Sequence, residues 1–172
     1  VSHGALDHFA AAARCRYHLD EEARMLQFAP FNFDASIEEV FATLSAGATL
    51  VLRTDALLES MLAFAAGVEQ MGITHLDLPT AFWNEWVVAL TAGQAHIPAG
   101  LTTVIIGGEA VYPEQLAQWQ RQGRSDVRLF NTYGPTETTV VVTTQELQQE
   151  DPSQAQLPIG LPGNEWKLDG EQ

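Results

Sequence analysis

Apolar runs and helical stripes alternate along this chain. Leu6, Phe9 and Ala13 fall at helical spacing within residues 5–17, and Ser2 precedes them as a cap, so the pattern predicts a first helix. Residues 25–29 read as a short strand closed by Pro30. A second helix is predicted just beyond it: Ser36 and Glu39 have the S-x-x-E spacing of a capping box, and Val40, Phe41 and Leu44 supply an apolar face. Residues 48–52 read as a buried strand, and 56–71 as a helix with Leu57, Met61, Phe64 and Val68 along one side. A strand over 73–78 ends at Pro79, where a helix through Trp83 and Trp86 begins. After a loop at 94–100, residues 102–109 run as a strand into Gly107-Gly108, and 113–122 form an amphipathic helix with Leu116 and Trp119 inward. Residues 127–130 are a buried strand, 140–144 a weaker one, and 145–156 an acidic surface excursion. At least five apolar runs thus alternate with helical patterns, which predicts an α/β fold with a predominantly parallel sheet flanked by helices.

Composition narrows the function without naming it. The 172 residues, 46% hydrophobic and 17% charged, suffice for one domain with a real core. No apolar run reaches the length of a bilayer span, and no basic-then-apolar start marks a signal peptide. Acidic residues outnumber basic ones 22 to 8, a formal net charge of −14. Binding a phosphate backbone needs clustered Lys and Arg, so neither nucleic acid nor membrane is expected as a partner. The lone Cys15 fits a reducing, cytoplasmic setting.

Candidate chemistry concentrates after the strand at 127–130. Gly134-Pro135 forces a tight turn, and packed into it are an amide (Asn131), a phenol (Tyr133), two hydroxyls (Thr132, Thr136) and a carboxylate (Glu137). Ligands of α/β sheets bind beyond the carboxyl ends of strands, where this cluster falls. An ordinary solvated turn has the same ingredients, so spacing alone leaves both readings open. Asp77 lies inside an apolar strand pattern, where a carboxylate needs a cation or donors unless the strand end is exposed. Asp34 and Glu38, at i and i+4, share one side of a helical turn, although favourable placement of acids at a helix start explains them equally well.

The wording of these stretches carries a resemblance. Asn131-Thr-Tyr-Gly-Pro-Thr-Glu137 resembles the adenine- and magnesium-binding motif of adenylate-forming enzymes, and more closely that of amino-acid adenylation domains of nonribosomal peptide synthetases. Phe33-Asp-Ala-Ser36 resembles that family's amino-acid-binding motif, Val1-Ser-His-Gly-Ala-Leu6 the tail of its phosphate loop, and Pro158-Ile-Gly-Leu-Pro162 its Pro-Ile-Gly element. The resemblance spans residues 1–163, a partial adenylation domain; residues 164–172 depart from the pattern, and Lys167 within them is given no catalytic role.

The resemblance implies one lobe of the adenylating core, using ATP and Mg²⁺ to turn an amino acid into an aminoacyl adenylate. Tyr133 would stack on adenine, Asn131 would bond its amino edge, and Gly108, Glu109 and Ala110 would lie against it. Thr136 would contact phosphate and Glu137 would hold Mg²⁺; His3 would lie near the phosphates. Asp34 would pair with the substrate's α-ammonium group. The implied pocket set is Asp34, Ala35, Glu38, Asp77, Ile105, Gly107, Thr132, Val140 and Val141. The resemblance further implies partner carrier and condensation domains, the carrier bearing phosphopantetheine. It also implies an upstream phosphate loop, a downstream ribose-binding Asp and a catalytic Lys outside this chain, so the chain is expected not to adenylate alone.

Beyond Asp34, the pocket set holds two acids and no base. Two carboxylates converging in a pocket repel unless a cation lies between them, so the expected substrate is a basic amino acid: lysine, arginine or ornithine. Ala35, Gly107 and Thr132 are small and leave room for a long side chain. An aryl- or acyl-acid ligase of the same superfamily, or a non-catalytic module keeping the fold, are the alternatives. Asp34 speaks against the first, since a substrate lacking an α-amine has no use for it.

Overall fold

The computed structural model describes residues 1–147, 150–153 and 157–162. Helix α1 (His3–Tyr17) opens at Ser2, whose hydroxyl accepts from the Ala5 amide at 3.2 Å. Strand β1 (Arg24–Gln27) leads to a continuous helical run made of α2 (Ala35–Ile37), a π turn (Glu38–Ala42) and α3 (Thr43–Ser45). Then follow β2 (Thr49–Leu52), a 3₁₀ turn (Asp55–Leu58), α4 (Met61–Gln70), β3 (His75–Pro79), α5 (Thr80–Thr91), β4 (Thr103–Gly107) and α6 (Pro113–Gln120). The described chain ends with β5 (Arg128–Tyr133), a 3₁₀ turn (Thr136–Thr138), β6 (Thr143–Glu146) and β7 (Leu161–Pro162).

The strands form one sheet in the order β2-β1-β3-β4-β5-β6-β7. The first five are parallel; β6 and β7 run antiparallel to their neighbours. Parallel strands need crossovers, and the helices between them supply those, covering both faces. Because strand side chains alternate, each central strand feeds two cores. Leu76 and Leu78 of β3, and Val104 and Ile106 of β4, face the cluster under α4, α5 and α6. Ile105 and Phe130 face the other cluster, under α1 and the helical run at 35–45. Asp77 pairs in register with Ile105, and Ile105 with Phe130, which puts the carboxylate on that second face.

Several sequence expectations shift here. The strand expected at 48–52 is the free edge of the sheet, so Leu52 is exposed rather than buried. The helix expected from 56 starts at Met61, because Ser60 caps it by accepting from the Ala63 amide. β5 continues through Asn131 to Tyr133, and the strand expected at 140–144 starts at Thr143, since Thr139 and Val140 take left-handed backbone angles. The reading of 164–172 lies outside the described residues. Among the described residues no helix is long and apolar enough to cross a membrane.

An aromatic group anchors the first core. Trp83, Trp86 and Trp119 are buried, with Trp86 centred 5.5 Å from both Phe64 and Trp119. Trp86→Ala is expected to cost about 3–5 kcal/mol in urea unfolding, against less than about 0.5 kcal/mol for exposed Val88→Ala.

Candidate functional site

Strand order reverses direction at β1: the chain moves outward to β2, then returns across β1 to β3, β4 and β5. Such a switch point leaves a crevice beyond the strand ends. A cavity of about 330 Å³ lies there. Its wall comes from Phe28, Ala29 and Pro30 after β1, from Leu78 and Pro79 of β3, from Gly107 and Gly108 of β4, and from Thr132 and Gly134 of β5. Asp34, Ala35 and Glu38 close one side, Val140 and Val141 another, and Asp77 reaches it from within β3.

Eight of the nine expected pocket residues therefore line one cavity. Ile105 does not: it is fully buried in the second core with Tyr17, Phe130, Val140 and Val141, two residues short of the strand end where the wall begins. The sequence reading missed Phe28, Ala29, Pro30, Leu78 and Pro79. The apolar strand ends before Pro30 and at Pro79 were the available signal.

The capping box is overturned. Helix α2 starts after Asp34, whose side chain caps nothing, and Ser36 donates to the Phe33 carbonyl at 2.7 Å. Glu39 instead reaches across to β1: its carboxylate accepts from the Phe28 and Ala29 amides at 2.9 Å and from the Gln27 side chain at 3.2 Å. Where β1 stops pairing, those amides need an acceptor, and a buried unpaired amide is costly. A π turn widens the helix by a residue, and here it turns the consecutive residues Glu38 and Glu39 both inward. The expected apolar face loses out, and Phe41 and Leu44 are exposed.

The result is a dry acidic floor. Burial pushes Glu38 up to about 7, and neighbouring Glu39 and Asp34 add to the rise. Burial likewise pushes Glu39 up to about 7, against its amide bonds. Asp77 rises well above the usual carboxylate range, through burial first and then through Glu38, Glu39 and Asp34. Glu38 Oε1 and Asp77 Oδ2 are buried without a hydrogen-bond partner, and among the described residues neither acid is in an ion pair.

The second half of the site is the loop after β5. A Cβ on Gly134 would lie 2.4 Å from the Val140 carbonyl oxygen, so only glycine lets residues 140–142 fold back there. Thr139 (φ 69°) and Val140 (φ 65°) are β-branched residues in left-handed conformations, a strained pair beside the cavity wall. The Thr136 hydroxyl donates to Asp34 Oδ2 at 2.5 Å, tying this loop to the helical run. Asn131 is buried and donates to the Pro158 carbonyl at 3.3 Å; the Tyr133 ring, Glu137, Gly108, Glu109 and Ala110 are exposed.

The sequence profile of the AMP-binding enzymes matches residues 1–172. This chain belongs to the AMP-binding enzyme family. It is 48% identical over 162 residues to an isonitrile lipopeptide synthase of Streptomyces coeruleorubidus, covering 94% of this chain and 11% of that protein. It is 36% identical to the nonribosomal peptide synthetase nanA of Aspergillus nanangensis, covering 94% of this chain and 6% of that one. The chain thus spans a small fraction of the curated relatives it matches. Its fold is similar to the Vibrio cholerae adenylation domain AlmE in complex with glycyl-adenosine-5'-phosphate (TM-score 0.79, 24% identity, 95% of this chain and 30% of that one). It is similar also to the nonribosomal peptide synthetase FmoA3 (TM-score 0.80, 22% identity, 94% and 17%).

The Asp34–Thr136 bond is where the start of the helical run and the loop after β5 touch across the crevice. Among the described residues no three metal-ligating side chains cluster. Exposed Glu137, with the Thr136 hydroxyl beside it, suits a Mg²⁺ that takes most of its oxygens from phosphate and water.

The raised acids have a measurable consequence. An unfolded glutamate loses its proton near 4.5, whereas native Glu38 holds it to about 7. Stability therefore falls as pH rises between those values. Glu38→Gln is expected to be more stable than the parent at about pH 8, by on the order of 2–3 kcal/mol, with the gap closed at about pH 4. Urea unfolding at both pH values measures the difference.

Proposed function

We propose that this chain is the substrate-selecting part of an amino-acid adenylation domain of a nonribosomal peptide synthetase, and that its substrate is a basic amino acid. In the reaction the substrate carboxylate attacks the α-phosphorus of ATP; a P–O bond forms, the bond to the leaving phosphate breaks, and aminoacyl adenylate and pyrophosphate result. Asp34 takes the α-ammonium group and so aims the carboxylate toward the Thr136 side of the crevice. Glu38 and Asp77 take the cationic side chain at the floor. On the nucleotide side, Tyr133 offers an exposed ring for adenine, Asn131 its amide, and Gly108, Glu109 and Ala110 an open backbone edge. Thr136 meets phosphate, and Glu137 would hold Mg²⁺, which when bound offsets phosphate charge. A carrier domain bearing phosphopantetheine then accepts the aminoacyl group, with condensation domains downstream.

One observation carries the substrate reading: Glu38 and Asp77 are buried at the cavity floor, each with an unpartnered oxygen, and without a cation among the described residues. A substrate side chain bearing positive charge supplies that missing partner. Ala35, Gly107 and Thr132 leave the path to the floor open, and a Cβ on Gly107 would lie 2.6 Å from the Thr132 hydroxyl.

Amino-acid-dependent ATP–pyrophosphate exchange, run in a complete adenylation domain carrying this chain, tests the proposal. Lysine, arginine or ornithine is expected to be used best, and Glu38→Gln or Asp77→Asn to lower its kcat/KM by roughly 30-fold or more. Exchange with a neutral amino acid above all three bases would keep the enzyme and discard the charge argument. A folded domain with no exchange for any amino acid would favour an aryl- or acyl-acid ligase or a non-catalytic module.

A further inference from the structure

Four polar side-chain atoms are buried without a hydrogen-bond partner around the cavity floor: Glu38 Oε1, Asp77 Oδ2, Tyr17 Oη and Thr144 Oγ1. They come from four different elements, the π turn, β3, α1 and β6. Only Glu38 and Asp77 belong to the cavity wall. Tyr17 and Thr144 are 0% and 1% exposed and stand behind it. Buried polar atoms are rarely left unpaired, so a group of four, two hydroxyls and two carboxylate oxygens, calls for a reason.

Tyr17 is held in place from three sides. Its ring packs edge-on against Phe130, with centroids 5.4 Å apart. Its carbonyl accepts from His75 Nε2 at 3.0 Å. It sits in the last position of α1, before His18 turns left-handed to end the helix. Thr144 pairs in register with the cavity residue Thr132, so both side chains lie on the sheet face that Tyr17 covers. Tyr17 shares its buried cluster with Val140 and Val141 of the cavity wall, and helix α1 packs against the π turn that carries Glu38.

We propose that Tyr17 is a positioning residue for amino-acid selection: when a cationic substrate side chain enters, the Tyr17 hydroxyl, backed by Thr144, turns to donate to the Glu38 carboxylate and fixes it for that side chain. This rests on the reading of Glu38 as an acceptor of that side chain. A phenol both donates and accepts, so with the substrate bound Thr144 can donate to Tyr17 while Tyr17 donates to Glu38. Donation to a carboxylate favours its charged form, and the charged form is the one a cation needs. Tyr17 is the group that opposes the rise of Glu38; burial, Glu39 beside it on the π turn and Asp34 at the start of α2 all act the other way. Asp77, facing from β3, is raised by the same neighbours.

Tyr17→Phe keeps the ring and removes only the hydroxyl. In the complete domain, pyrophosphate exchange is followed from about pH 6 to about pH 9. The substrates are whichever of lysine, arginine or ornithine is used best, and norleucine as the neutral comparison. In the parent, KM for the basic amino acid should fall as pH rises through about 7. In Tyr17→Phe that fall should move to higher pH. Its KM near pH 7 should be roughly tenfold above the parent's and converge by about pH 9, with kcat and the norleucine parameters unchanged. Thr144→Val should shift the profile the same way by less, and serves as the variant if Tyr17→Phe does not fold. A profile that superimposes on the parent's in either folded variant overturns the positioning role and leaves the basic-substrate reading intact. A pH-independent loss shared equally by norleucine marks a purely structural role and also overturns it. A parent that uses norleucine better than the three bases overturns the substrate reading, and this proposal with it.

Discussion

The carboxylate of Glu39 on the amides of Phe28 and Ala29 is the contact on which the site depends. A strand inside a parallel sheet has to stop pairing somewhere, and its last amides then need acceptors away from water. Here β1 stops at the switch point, and the acceptor arrives from a helical run ten residues later in the chain. That one bond pattern fixes the strand exit, which forms part of the cavity wall, and the π turn, which aims Glu38. Asp34 at the start of the same run then falls opposite the loop after β5. A local cap by Ser36 would have left Glu39 outside and the strand exit unsupported.

The floor works against the fold that holds it. Glu38 and Asp77 are two acids in a dry place: burial raises both, Glu38 raises Asp77 further, and Glu39 and Asp34 add to the rise of each. Keeping them costs stability at neutral pH, and so does the left-handed pair Thr139–Val140 at the wall. These costs fall on the α1 face, while the Trp83, Trp86 and Trp119 cluster sits on the opposite face of the sheet. A buried, well-packed side chain of that size contributes several kcal/mol, comparable with the cost of one raised acid. The packed aromatic cluster thus lies on one face of the sheet and the raised acids on the other.

Much of this was legible in the sequence, and the failures share a cause. Apolar periodicity located the strands and the parallel character, because burial on both faces leaves continuous hydrophobic runs. The wording of residues 33–36 and 131–137 singled out two stretches that the fold brings together through the Asp34–Thr136 bond. What failed were residues whose local pattern admits two satisfactions. S-x-x-E spacing fits a capping box, yet Glu39 had a stronger use in tertiary space. Phe41 and Leu44 looked inward on a regular helix, and the π turn altered the phase. Ile105 matched a pocket position by family wording, but it lies two residues inside the strand and meets Phe130 rather than the cavity. Tyr17 gave no sign at all: a tyrosine at a helix end is unremarkable until Glu38 and Thr144 come to face it.

The bond between Thr136 and Asp34 joins residues 102 apart in sequence, and it sets the order in which the site can be read. On the proposed function, Asp34 would present its carboxylate to the amino-acid side and Thr136 its hydroxyl to the nucleotide side. A hydroxyl that donates to Asp34 still has lone pairs but no second proton, so it cannot at the same time donate to a phosphate oxygen. Arrival of an ammonium group at Asp34 supplies that carboxylate with a stronger, charge-assisted donor. On that reading the Thr136 proton would then be free to turn toward phosphate. Two sites that shared one proton donor in this way would be coupled by ordinary hydrogen-bond competition.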